Sequence, residues 1–217
     1  MDIIKLFLLL ILVVSISCKK KEDCPREFVV YGEVSPYKKT YETKDTLSLS
    51  IQFTNMILSK DLTQEFDLTN VNLSVGFHIY RIDSPSTGYN SSAIDYCKYI
   101  DLDTLNLNIN YSSDGTSMLY GTTKVLRGTN SISIKLVPTI AGLYMLTFGV
   151  FTIQNNDQFE GGCKRSFFDL STILNKGQDN NIDLLKQSPN EHFNTWMMQK
   201  PERFYYQKSG FAYRVIE

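Results

Sequence analysis

Side chains suited to chemistry are few in this chain: two histidines, His78 and His192, four cysteines, and one short oxygen-rich run. Acid–base or nucleophilic catalysis needs a nucleophile beside a base, facing carboxylates, or a metal cage. Two imidazoles give a histidine-based triad little to draw on. His78 falls on the polar face of an alternating segment and His192 near a helix start, so both read as ordinary surface or satisfied residues. No G-x-S-x-G, H-E-x-x-H, P-loop or G-x-G-x-x-G run occurs. Asp179-Asn180-Asn181-Ile182-Asp183 spaces oxygens as hard-cation sites do. It lacks the Gly and distal Glu of an EF-hand loop, and it reads as a polar surface turn. Asp101 and Asp103 flank Leu102 with no convergent partner. The residues therefore predict no catalytic group, no metal site and no cofactor.

The thiol with a definite chemistry is that of Cys18. Met1 to Lys5 is a short leader, and Leu6 to Val14 carries no polar side chain. A membrane-spanning helix needs about 20 apolar residues, so this run fits the apolar core of an export signal rather than an anchor. Ser15-Ile16-Ser17-Cys18 follows and resembles the bacterial lipobox: small residues admit the lipoprotein signal peptidase, and the cysteine takes the diacylglyceryl group. Ser15 stands where Leu is usual, a looseness typical of the Bacteroidota. Residues 1–17 are thus expected to be a lipoprotein signal peptide and 18–27 a lipidated tether. Lys19-Lys20-Lys21-Glu22-Asp23 is too charged to join a core and reads as a solvated spacer; it also looks like a surface-export signal.

With Cys18 acylated, Cys24, Cys97 and Cys163 remain, in a compartment that permits disulfides. Three thiols allow one bridge. Cys97 with Cys163 is the first choice of pair and Cys24 with Cys163 the runner-up. A formal net charge of −1, with no basic run beyond residues 19–21, gives no electrostatic basis for a nucleic-acid partner. A hydrophobic share of 42%, with 13 Tyr and 13 Phe, supplies area for a real core, and residues 28–217 fit a single domain.

The elements that would position these side chains read as strands. Phe28 to Val34 opens the domain. Leu47, Leu49, Ile51 and Phe53 alternate with polar residues, as do Val71 to Ile79, Leu105 to Ile109, and Ile132 to Leu136. Leu143 to Ile153 is nearly continuous and suits a central strand, and Phe211, Tyr213 and Val215 close the chain. Turn residues at Ser112-Ser113-Asp114-Gly115, Gly128-Thr129-Asn130 and Asn155-Asn156-Asp157 separate them and predict hairpins. Pro138 to Tyr144 resembles the loop entering the sixth strand of immunoglobulin-like domains, where a tyrosine bonds back to upstream backbone; Leu146 stands where antibody domains place a cysteine. The pattern predicts an all-β, immunoglobulin-like antiparallel sandwich.

The β pattern breaks between about 167 and 206. Ser188 is placed to cap a helix, with Pro189 in its first turn and Glu191 closing a capping box, and Pro201 limits it. Phe193, Trp196 and Met197 then share one apolar face, so a short helical insertion should pack on the sandwich before the last strand, with Trp196 in the core. Trp196, Phe204, Tyr205 and Tyr206 form the aromatic cluster that could bind a ligand; Tyr89, Tyr96 and Tyr99 surround an expected loop at Cys97.

Lipobox, charged tether, the Lys44-Asp45-Thr46-Leu47 lead and the terminal Phe211-Ala212-Tyr213-Arg214-Val215 strand together resemble the small Bacteroidota outer-membrane lipoproteins with an immunoglobulin-like domain. The likeness is one of layout and rests on no active-site motif. It implies an envelope location, on the periplasmic or the surface face, and a sandwich fold, without implying an activity. The corresponding functional expectation is a noncatalytic module holding a glycan or an envelope protein. A structural envelope component is the neighbouring reading, and a hydrolase with a loop-built site the remaining alternative.

Overall fold

In a computed structural model, residues 27–60, 65–84, 92–101, 105–113, 116–152 and 169–217 are described. The expected signal peptide, Cys18, the tether to residue 26, Cys24, Tyr89, Asp103, the 155–157 turn and Cys163 lie outside them, as does the Asp101 side chain.

One layer runs β7 (Cys97–Asp101), β10 (Thr129–Pro138), β3 (Leu47–Thr54), β1 (Glu27–Ser35). The other runs β8 (Asn108–Tyr111), β9 (Ser117–Lys124), β6 (Asn72–Arg81), β11 (Gly142–Thr152), with β13 (Phe211–Ile216) and then β2 (Thr40–Glu42) beyond it. Strand β12 (Asp169–Leu174) joins the layers, parallel to β1 and antiparallel to the far end of β11. A separate hairpin pairs β4 (Met56–Leu58) with β5 (Glu65–Asp67).

Alternation explains the layers. Leu47, Leu49 and Ile51 from β3 and Ile132, Ile134 and Leu136 from β10 meet Leu73, Val75, Phe77 and Ile79 from β6 in one buried core. Each such side chain contributes roughly 1.5–3 kcal/mol through its removal from water, which offsets the entropy of ordering the chain. The result is the expected immunoglobulin-like β-sandwich. Its corner is present too: the Tyr144 hydroxyl donates to the Ile140 carbonyl at 2.8 Å, and Leu146 is buried. Strand β11 is central as read, flanked by β6 on one side and by β12 and β13 on the other.

Several expectations are corrected. The 167–206 segment is not helical from its start, because 169–174 completes the sheet beside β1. The Gly128 turn, at φ 96°, connects strands that do not pair with each other, so it is a crossover rather than a hairpin. Leu105 to Ile109 is not one strand: Asn106 is left-handed (φ 48°), and only residues 108–111 pair. Leu105 instead crosses directly over Gly121, where a Cβ would lie 2.7 Å from the Leu105 carbonyl oxygen. Cys97, expected in a loop, begins β7 and is buried.

A second hydrophobic cluster lies on the outer face of β6, β11 and β13. Ile82, Leu143, Met145 and Ala212 pack there against Leu184, Leu185, Phe193, Met197 and Tyr205 from the residues between β12 and β13. The helical insertion therefore lies before the last strand, as expected, but begins after β12, and it caps one face of the sandwich. No helix among the described residues is long and apolar enough to cross a membrane.

Candidate functional site

The cap is built from short pieces: 3-10 turns Asn175–Gly177 and Ile182–Gln187, a π-helical turn His192–Met197, an α-helical turn Pro201–Phe204, and a 3-10 turn Tyr206–Lys208. Its helix starts two residues later than the capping pattern predicted. The Ser188 hydroxyl donates to the Ile82 carbonyl and accepts from the Asn190 N–H, so it fastens the cap to the sheet. Asn190 takes the capping role: its side-chain oxygen accepts the His192 N–H at 2.9 Å. Glu191 makes no capping bond.

The wide turn also redirects the aromatics. In a π-helix each residue advances less than in an α-helix, so position i+3 rotates off the buried face while i+4 returns to it. Phe193 and Met197 are accordingly buried, whereas Trp196 is 39% exposed. That corrects the expectation that Trp196 belongs to the core. Trp196 stacks on Phe204 (ring centroids 3.8 Å) and on His192 (4.8 Å), and the Arg203 guanidinium lies 5.3 Å over Phe204. The three rings form a continuous aromatic strip, with Trp196 exposed and His192 and Phe204 half-buried.

Of the other predicted binding aromatics, Tyr206 is half-buried and Tyr205 wholly buried. Tyr205 is a structural hub. Its hydroxyl donates to the Asn180 carbonyl and accepts the Ala212 N–H at 2.8 Å, and burial holds its pKa well above the ordinary value. Its ring lies so close over Gly210 that a Cβ there would fall 2.5 Å from it, which explains the glycine.

The Asp179–Asp183 run is neither a surface turn nor a cation loop. Asn180 and Asn181 are buried, and the Asn181 amide donates to the Lys38 and Ala212 carbonyls at 3.0 and 2.9 Å. Asp179 accepts from the Tyr37 hydroxyl and Asp183 pairs with Lys39, so the run locks the cap to β13 and the β1–β2 connection. Among the described residues no three His, Cys, Asp or Glu side chains converge as a metal site would require.

Two clefts flank the 201–208 segment. The first, about 240 Å³, opens between the sheet and the strip and is lined by His78, Tyr80, Thr147, Trp196, Phe204 and Lys208, among others. His78 was expected on a wet strand face. The cap instead half-buries it: its ring stacks on Tyr80 (5.8 Å, 7°), its Nδ1 has no partner among the described residues, and burial lowers its pKa from 6.5. The second cleft, about 480 Å³, lies on the β1–β12 side and includes Lys60, Ser171, Ile173, Glu202, Tyr206 and Gln207 in its lining. No sequence pattern pointed to it, because Ser171 and Ile173 lie in a strand without a local alternation signal.

The Cys97 thiol lies beside the Tyr213 hydroxyl, and burial pushes its pKa up to about 11. Cys97 has no disulfide partner among the described residues; the expected partner, Cys163, lies outside them.

No family model matches the sequence. No curated protein matches it either. Among solved structures the chain is similar to the reeler domain of human F-spondin, at 9% identity and a TM-score of 0.33, over 67% of this chain and 95% of that one. It is also similar to a type II cohesin dyad from the ScaA scaffoldin of Acetivibrio cellulolyticus, at 10% identity and a TM-score of 0.32, covering 67% of this chain and 46% of that one. A CARDB domain from Pyrococcus furiosus gives 12% identity and a TM-score of 0.30, over 69% and 96% of the respective chains.

Proposed function

We propose that this chain is a lipid-anchored, noncatalytic binding module of the bacterial outer membrane, which holds a glycan or an envelope protein against its helical cap. The observation that carries the reading is the strip of His192, Trp196 and Phe204. The only tryptophan of the chain is stacked between neighbouring rings with part of its surface open to solvent. A rigid aromatic surface binds with little loss of conformational entropy and suits both sugar rings and protein hot spots. The lipobox and the charged spacer support the address, since they would set the cap clear of the bilayer.

Hydroxyl-radical footprinting tests this reading on whole cells. Oxidation of Trp196 and Phe204 is expected to fall several-fold in the intact envelope relative to the purified full chain, with exposed Tyr31 and Tyr111 as internal references. Equal oxidation of the strip in both settings would mean that nothing covers it, and would overturn the proposal.

A further inference from the structure

We infer that the second cleft, between β12 and the 201–208 segment, is a binding site for a single neutral sugar ring. The inference concerns a different surface from the aromatic strip and does not depend on what covers that strip. Size is the first observation. Small-molecule sites run from about 300 to 1,000 Å³, and this cleft, at about 480 Å³, falls within that range, whereas the cleft under Trp196 does not.

The chemistry of the lining selects the ligand. Val29, Ile173 and the ring of Tyr206 offer apolar surface to one face of a pyranose, where its C–H groups project. Gln207 both donates and accepts, Glu202 accepts, and the Ser171 hydroxyl, which donates to Glu27, can still accept, so the rim offers ring hydroxyls both kinds of partner. Among the described lining residues the one cation, Lys60, is already bonded to Glu27 at 2.8 Å, and Glu202 adds a negative charge. The described lining therefore carries no excess positive charge to hold a phosphate or carboxylate.

The cap fixes this geometry. The Ser209 hydroxyl donates to the Thr172 carbonyl at 2.6 Å, tying the segment that carries Tyr206 and Gln207 to the free edge of β12. The cleft walls are thus held before any ligand arrives, which lowers the entropic cost of binding.

Saturation-transfer NMR on the full chain in detergent tests the site, with the methyl glycosides of glucose, galactose and N-acetylglucosamine as probes and inorganic phosphate as competitor. At least one sugar should receive saturation and resist displacement by phosphate. Its affinity should drop about tenfold, the equivalent of one lost hydrogen bond of about 1.4 kcal/mol, in Gln207→Ala. Tyr206→Ala should weaken it at least as much, while Trp196→Ala leaves it unchanged. Gln207 is exposed, so its variant keeps the test valid if Tyr206→Ala misfolds. No transfer to any of the three sugars, displacement by phosphate, undiminished affinity in Gln207→Ala, or loss in Trp196→Ala would each overturn the inference.

Discussion

At the residue scale, several side chains that looked chemical are structural, and the reverse also holds. Tyr205 joins the Asn180 carbonyl to the Ala212 N–H, in the interior. Tyr205→Phe removes both bonds but leaves the direct Ala212 N–H to Asn180 carbonyl bond at 3.1 Å, so unfolding in urea should show a loss of about 0.5–1.5 kcal/mol; an unchanged midpoint would remove the hub role. The two imidazoles set a pH dependence. Burial lowers the pKa of both His78 and His192 from 6.5, so the unfolded chain binds more protons than the folded one just below that value. The stabilisation is fully present above about pH 6.5 and is lost as the pH falls toward the folded pKa values. The thermal midpoint should therefore decline from pH 7.5 to pH 5, and His78→Gln combined with His192→Gln should flatten that slope. A double variant with the same slope would assign the effect elsewhere. Glu27 acts lower on the scale: burial raises its pKa, but the bonds from Lys60 and Ser171 lower it more, so its contribution fades only within the carboxylate range.

At the element scale, legibility followed solvent exposure. Strands β3 and β10 were readable because one face of each stays wet and the alternation is clean. Strand β12 was not, because six residues pairing in parallel with a partner more than a hundred positions away leave no local signature. The short strands β2, β4, β5 and β7 were missed for want of length, and β9 because Thr and Gly interrupt its apolar face. The cap helix was located correctly, but its facing was not: an α-helical period puts Trp196 inward, and the π-turn puts it outward. That facing makes a contrast that can be measured. Phe193→Ala empties a buried site and should cost about 3–5 kcal/mol, whereas Trp196→Ala, at a partly exposed position stacked on two rings, should cost about 1–2 kcal/mol. Equal costs would place both rings in the core and remove the strip. Of the four aromatics singled out in the sequence, the fold keeps Trp196 and Phe204 in one cleft, moves Tyr206 to another and buries Tyr205.

At the scale of the whole molecule, a sandwich with one capped face presents its two candidate clefts on either side of a single segment, 201–208. In the proposed reading, what the arrangement does in the cell depends on where the chain is held, and Cys18 would set that place. Growing cells with a clickable palmitate analogue tests the address directly. The native chain should take up the label and fractionate with the outer membrane, and Cys18→Ala should do neither. An unlabelled native chain that still carries residues 1–17 and remains in the cytosol would contradict the account.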